Sequence, residues 1–85
     1  MYQLQLLDRA VRDLSELDKP VAARVVERLR WLAENLDQIR PLPLTGNLGG
    51  LYKLRIGDYR VIYEILKNED TVIVHAIGHR RDVYR

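Results

Sequence analysis

The sequence predicts an α+β fold: an N-terminal strand and a two-helix hairpin packed on a mainly antiparallel four-stranded sheet, in one compact domain over residues 1–85. Apolar residues recur every three or four positions through the first half of the chain. Apolar/polar alternation takes over from Leu51 onward, and a stretch rich in proline and glycine separates the two regimes. A chain of 85 residues has room for one modest core and none for a separate cofactor domain.

Residues 2–7 are apolar at Tyr2, Leu4 and Leu6 and read as the first strand. Asp8 fits the N-cap of a short helix over residues 9–17, with Val11, Leu14 and Leu17 spaced by three along one face. Asp18 can cap a second helix, in whose first turn Pro20 gives up only an amide that has no partner anyway. That helix runs to about residue 37 on a stripe of Val21, Val25, Leu29, Leu32 and Leu36, widened by Ala22, Val26 and Ala33. Its other face carries Arg24, Glu27, Arg28, Arg30 and Glu34, a solvated surface on which Arg30 and Glu34 have pairing spacing. Trp31 sits beside the stripe as core edge or partner surface. Pro41 and Pro43 stop the helix, and residues 45–50 form a turn-rich connection. Residues 51–56 and 59–66 then make a hairpin about Gly57 and Asp58, and a polar turn over 67–70 leads into a last strand over 71–77.

Composition removes several functional classes. There is no cysteine, so disulfides and thiolate chemistry are excluded. Two histidines without cysteine or carboxylates at ligand spacing predict no metal site, and no cofactor is expected. A charge at Asp8 interrupts any signal-peptide core and no apolar run reaches membrane-spanning length, so a cytoplasmic protein without membrane contact is expected. Net charge is only +2, but its placement is uneven. Residues 1–43 hold seven basic and seven acidic side chains, whereas residues 44–85 hold seven basic and five acidic ones. A local excess of that kind can attract phosphates from a nearly neutral molecule.

The hairpin decides where that excess points. If Gly57 and Asp58 are the loop, Arg55 lies opposite Arg60. The pleat then puts Leu51, Lys53, Arg55, Arg60 and Ile62 on one face, and Tyr52, Leu54, Ile56, Tyr59, Val61 and Tyr63 on the core face. Facing arginines repel. Either an acid such as Glu64 neutralises them, or both splay into water, or an anionic partner lies between them; clustering on one face favours phosphate. Gly78 permits a bend or bulge, after which His79, Arg80 and Arg81 emerge near the same sheet edge. His79 is a candidate acid or base and equally a surface residue, whereas His75, within the strand, reads as a satisfied, partly buried side chain. Tyr84 could be pinned into a groove by its ring, or could stack on a base.

The strings LYKLR, GDYRVIYEI and AIGHRRDVYR, in this order of elements, resemble the RelE branch of the RelE/ParE toxin superfamily of prokaryotic toxin–antitoxin systems. The resemblance spans the chain and its specific motifs lie between Gly49 and Arg85. It implies a RelE-like microbial ribonuclease fold and a metal-free endoribonuclease that cuts mRNA in the A site of a 70S-type ribosome. In that chemistry the 2′-hydroxyl attacks the adjacent phosphate, leaving a 2′,3′-cyclic phosphate and a 5′-hydroxyl. Residue by residue, the resemblance implies that Lys53 activates the hydroxyl, Arg60 stabilises the phosphate, Arg80 holds the phosphate and protonates the leaving group, and Tyr84 stacks on the substrate. Arg55, His79, Arg81 and Arg85 are the expected RNA-binding surroundings. Two departures stand out: Leu51 occupies the position of a second lysine in the best-known members, and the Arg80–Tyr84 spacing is shorter than theirs. His79 is a candidate to take part of the acid–base work. The resemblance also implies a cognate antitoxin, acidic and partly disordered, with operator DNA bound only through the antitoxin complex. ParE-like relatives, which inhibit DNA gyrase, and a non-cleaving relative that binds ribosome or antitoxin are the alternatives.

Overall fold

A computed structural model describes residues 1–46 and 49–84. In chain order it contains β1 (Gln3–Leu6), α1 (Asp8–Ser15), α2 (Lys19–Asn35), β2 (Leu42–Pro43), β3 (Tyr52–Ile56), β4 (Tyr59–Leu66) and β5 (Thr71–His79), with 3-10 turns at Leu36–Gln38 and Lys67–Glu69. The strands form one sheet in the order β1-β5-β4-β3-β2. The first strand lies parallel to β5, and every other neighbouring pair is antiparallel. The α+β class therefore stands, but the sheet has five strands where four were expected. Its additional strand is the Leu42–Pro43 segment, which pairs with Lys53 and Tyr52. Pro43 has no amide to donate, and an edge strand is where a sheet tolerates that.

Both helices start close to the expected positions but by different means. Leu7, not Asp8, occupies the cap position of α1; Asp8 is the first helical residue, where its charge meets the positive end of the helix dipole. Asp18 caps α2 with its backbone, its carbonyl accepting from the Ala22 amide at 2.8 Å, while its side chain makes no cap hydrogen bond. The apolar stripe of α2 is buried as the periodicity requires: Val25 and Leu32 are inaccessible and Leu29, Ala33 and Leu36 nearly so. On α1 the buried residue is Ala10, and the expected Val11 is 53% exposed. A methyl-sized side chain lets α1 lie close against β5. Trp31 packs on the core edge with the Arg28 guanidinium 4.2 Å above its ring. Among the described residues Arg30 and Glu34 do not come within ion-pairing distance.

The sheet carries a buried cluster on each face. Against the helices, Ile56, Val61, Tyr63, Val72, Val74 and Ile77 complete one core. On the opposite face Ile62 and Ala76 are covered by Val83, with Leu44 and Leu51 alongside. The described chain after β5 therefore folds back over the sheet as far as Val83. The hairpin register is the expected one, Arg55 opposite Arg60 and Ile56 opposite Tyr59. Gly57 has φ +60° and Asp58 does not have a positive φ, a combination that suits a II′ turn led by glycine. β5 continues to His79, two residues beyond the expected end, and the irregularity in its pairing lies at Ile62/Tyr63, not at Gly78. No helix among the described residues is long and apolar enough to cross a membrane.

Leu32→Ala should cost about 2–5 kcal/mol, read as a lower urea midpoint at unchanged slope, because the deleted atoms leave a cavity in the helix-side core. Burial also pushes the Tyr63 phenol up to about 12 from its ordinary 10.0. The neutral form is the one the fold favours, so its contribution is complete below pH 10 and is lost as pH rises toward 12. Urea titrations across that window should show stability falling more steeply for the wild type than for Tyr63→Phe.

Candidate nucleic-acid interface

Strand pairing gathers the cations. Lys53 faces Ile62 across the β3–β4 ladder and Arg55 faces Arg60, so all three basic side chains share the sheet face away from the helices. Arg55 is exposed and Lys53 and Arg60 are partly so. Arg60 answers the cross-strand repulsion by turning one nitrogen of its guanidinium onto the hairpin, donating to the Gly57 and Tyr59 carbonyls, each at 2.9 Å. Glu64 does not neutralise the arginines; its carboxylate lies 3.0 Å from Nε2 of His75. Among the described residues no acid lies within ion-pairing distance of Lys53, Arg55 or Arg60. The face is left with uncompensated positive charge directed to solvent.

The segment after β5 delivers the remaining candidates. The Arg80 amide donates to the Asp58 carbonyl at 2.8 Å, pinning this exposed residue to the hairpin that holds Arg60. The Asp82 and Val83 amides both donate to the His79 carbonyl, which closes a tight turn. His79 itself is the register partner of Tyr59 and packs edge-on against that ring, with centroids 5.6 Å apart. Its Nδ1 accepts from the Arg81 amide at 3.2 Å. The imidazole is thus occupied in shaping the turn, on the Tyr59 side of the sheet and away from Arg55 and Arg60. Val83 then plugs the second core, meeting Ile62 and Ala76 and lying beside Gly78. That anchor sets Tyr84, 48% exposed, over a groove lined by Leu51, Ile62, His75 and Ala76. Arg81 is exposed, and Arg85 lies outside the described residues.

Two residues that no motif singles out hold this arrangement. Beyond Val74, β5 has no strand partner on its β1 side among the described residues, and the Asp13 carboxylate accepts from the Ile77 amide there at 2.9 Å. Arg9, one helical turn earlier, lies 3.5 Å from the same carboxylate and donates to the Val83 carbonyl at 3.1 Å. Their four-residue spacing is visible in the sequence, but nothing local shows that the pair faces a bare strand edge. Asp13→Ala should therefore cost about 1–3 kcal/mol, since it leaves a part-buried amide without its acceptor. Hydrogen exchange should show the Ile77 and Val83 amides losing protection before those of β4.

Taken as chemistry, the face offers a lysine, two arginines at the hairpin, and a tyrosine ring over an apolar groove. This is an equipment for gripping a phosphate and a base together. Residues 4–84 match the family model described as the ParE toxin of the type II toxin–antitoxin system, parDE. The chain is 34% identical over 88 residues to toxin RelG of Mycobacterium tuberculosis (strain ATCC 25618 / H37Rv), covering 99% of this chain and 97% of that one. Toxin RelE of the same strain is also 34% identical, over 84 residues, covering 99% of this chain and 87% of that protein. Among solved structures, the toxin–antitoxin complex RelBE2 from Mycobacterium tuberculosis contains a chain that superposes with a TM-score of 0.84 at 31% identity, covering 93% of this chain and 98% of that one.

Proposed function

The chain belongs to the ParE toxin family of type II toxin–antitoxin systems, and from that premise we propose that it is a ribosome-dependent endoribonuclease that cuts mRNA in the A site. The observation that carries this reading is that Lys53 and Arg60 share one hairpin face, with the Arg80 backbone bonded to the hairpin turn and Tyr84 lining a groove alongside. In the proposed reaction Lys53 takes the proton of the 2′-hydroxyl, and the freed oxygen attacks the adjacent phosphorus. The bond from phosphorus to the 5′-oxygen breaks, leaving a 2′,3′-cyclic phosphate on one side. Arg60, steadied by the hairpin carbonyls, faces the charge that builds on the phosphorane. Arg80 shares that charge and protonates the leaving 5′-oxygen, while Tyr84 stacks on a neighbouring base. Arg55 and Arg81 add affinity for the backbone, and Arg85 is proposed to do the same from the sequence alone. His79 supports the turn that carries Arg80.

The message is held by the ribosome, so this protein has only to complete a site on a positioned substrate. Its proposed place of action is accordingly the cytoplasm. An antitoxin is the expected partner, since the similar solved toxin is in complex with one. The uncompensated cationic face suits an acidic segment that folds onto it and masks the site. Operator DNA is proposed to be met only through that complex.

A second reading is favoured by the family description itself, which is that of ParE: inhibition of DNA gyrase without RNA cleavage. One experiment separates the two. In vitro translation of a defined mRNA, followed by primer extension, should show new 5′ ends within A-site codons. Arg60→Ala and Arg80→Ala should each lower cleavage by about 100-fold or more, the loss expected when one transition-state charge contact is removed. Intact mRNA together with inhibited DNA supercoiling would replace the nuclease reading with the gyrase one.

A further inference from the structure

We infer that the groove beneath Tyr84 is a nucleobase pocket in which His75, held by Glu64, selects the base beside the cleaved bond. The inference rests on the nuclease reading and deepens it to substrate choice. The groove encloses about 340 Å³ and is lined by Leu7, Arg9, Leu51, Ile62, His75, Ala76, Val83 and Tyr84. Its floor is apolar and rigid: Ile62, Ala76 and Val83 are each at most 5% exposed. A flat aromatic base loses little by leaving water for such a floor, and Tyr84 supplies a ring to lie against.

His75 enters the groove because of a fault in the strand pairing. Ile62 pairs with Ala76 and the next residue, Tyr63, pairs with Val74, so His75 is the extra residue of a bulge. Bulges re-aim single side chains, and this one puts an imidazole into a groove whose other walls are mostly apolar. The Glu64 carboxylate lies 3.0 Å from Nε2, with both side chains about one-third exposed. Polar side-chain pairs at such exposure contribute little to stability, so the arrangement is not accounted for by folding. Its chemical effect is definite. An ionised carboxylate only accepts, so Glu64 takes the hydrogen of Nε2, and whenever the ring carries a single hydrogen Nδ1 is left as an acceptor. Bases whose Watson–Crick edge presents an amino group, namely adenine, cytosine and guanine, satisfy that acceptor. Uracil has no amino group; its one Watson–Crick donor, N3–H, lies between two carbonyl oxygens that repel the same acceptor, and it is disfavoured.

Leu51, just before the Tyr52–Tyr63 pair, lines the same groove as His75. Where a lysine would reach toward phosphate, the leucine helps to close the apolar groove. The substitution that separates this chain from the lysine-bearing pattern thus serves the pocket.

The test uses ribosomes programmed with mRNAs that differ only at one A-site codon position at a time, with cut ends counted by sequencing. Wild-type protein should discriminate against uracil at one position by about tenfold, and His75→Ala should bring that ratio close to one. Arg80→Ala should lower cutting on every codon without changing its ranking. An unchanged nucleotide profile in His75→Ala overturns the pocket while leaving the nuclease reading intact. If that variant does not fold, Leu51→Phe decides: a narrower groove should shift cutting from purines to pyrimidines, and an unchanged profile overturns the inference. Wild-type protein that cuts no message overturns the nuclease reading and the pocket with it.

Discussion

The bare edge of β5 is the constraint around which the rest of the molecule is arranged. The parallel pairing with β1 ends at Val74, and the strand continues to His79 without a strand neighbour on that side among the described residues. An exposed amide row of that kind would be wet or sticky. Asp13 takes the Ile77 amide, and Arg9 links that carboxylate to the Val83 carbonyl. One helix therefore closes the edge of the sheet and fastens the chain that follows it. Ala10 is inaccessible in the same turn of α1, which is how the helix comes near enough to do so.

From that fastening the functional face follows. Val83 can plug the second core only if the turn from His79 to Asp82 is tight, and the His79 carbonyl and ring both contribute to closing it. Arg80 is thereby placed at the hairpin beside Arg60, and Tyr84 over the groove. The same face keeps its positive charge because the nearby acid is engaged elsewhere: Glu64 belongs to His75, and Arg60 is satisfied by backbone carbonyls. Carbonyl dipoles hold the guanidinium in place without cancelling its charge. A carboxylate in their position would have neutralised it. The cationic surface is thus compatible with a stable sheet while remaining attractive to phosphate.

Much of this was legible in the chain. The Gly57–Asp58 turn set the hairpin register, and the register set which residues share a face, because side chains alternate with a period of two. Lys53, Arg55 and Arg60 could be grouped on that basis, and the α2 stripe could be traced residue by residue. The misreadings share a cause. Val11 in place of Ala10, four strands in place of five, and an end to β5 at residue 77 all turn on how close two distant segments come. Local pattern says that a residue is apolar, not which neighbour requires it to be small.

The sequence by itself determined the class of fold, the hairpin register and the cationic face, since each rests on periodicity and turn chemistry within a few residues. It also carried the family resemblance, through two strings that fall largely on β3 and β4 and a third that begins at the end of β5. Only the tertiary structure decided that Arg9 and Asp13 fasten the C-terminal segment, that His79 is turned toward Tyr59, and that Glu64 and His75 form a pair. Those partners lie from 11 to 74 residues apart in the chain. No local preference connects them; they meet because the chain packs a buried cluster on each face of one sheet.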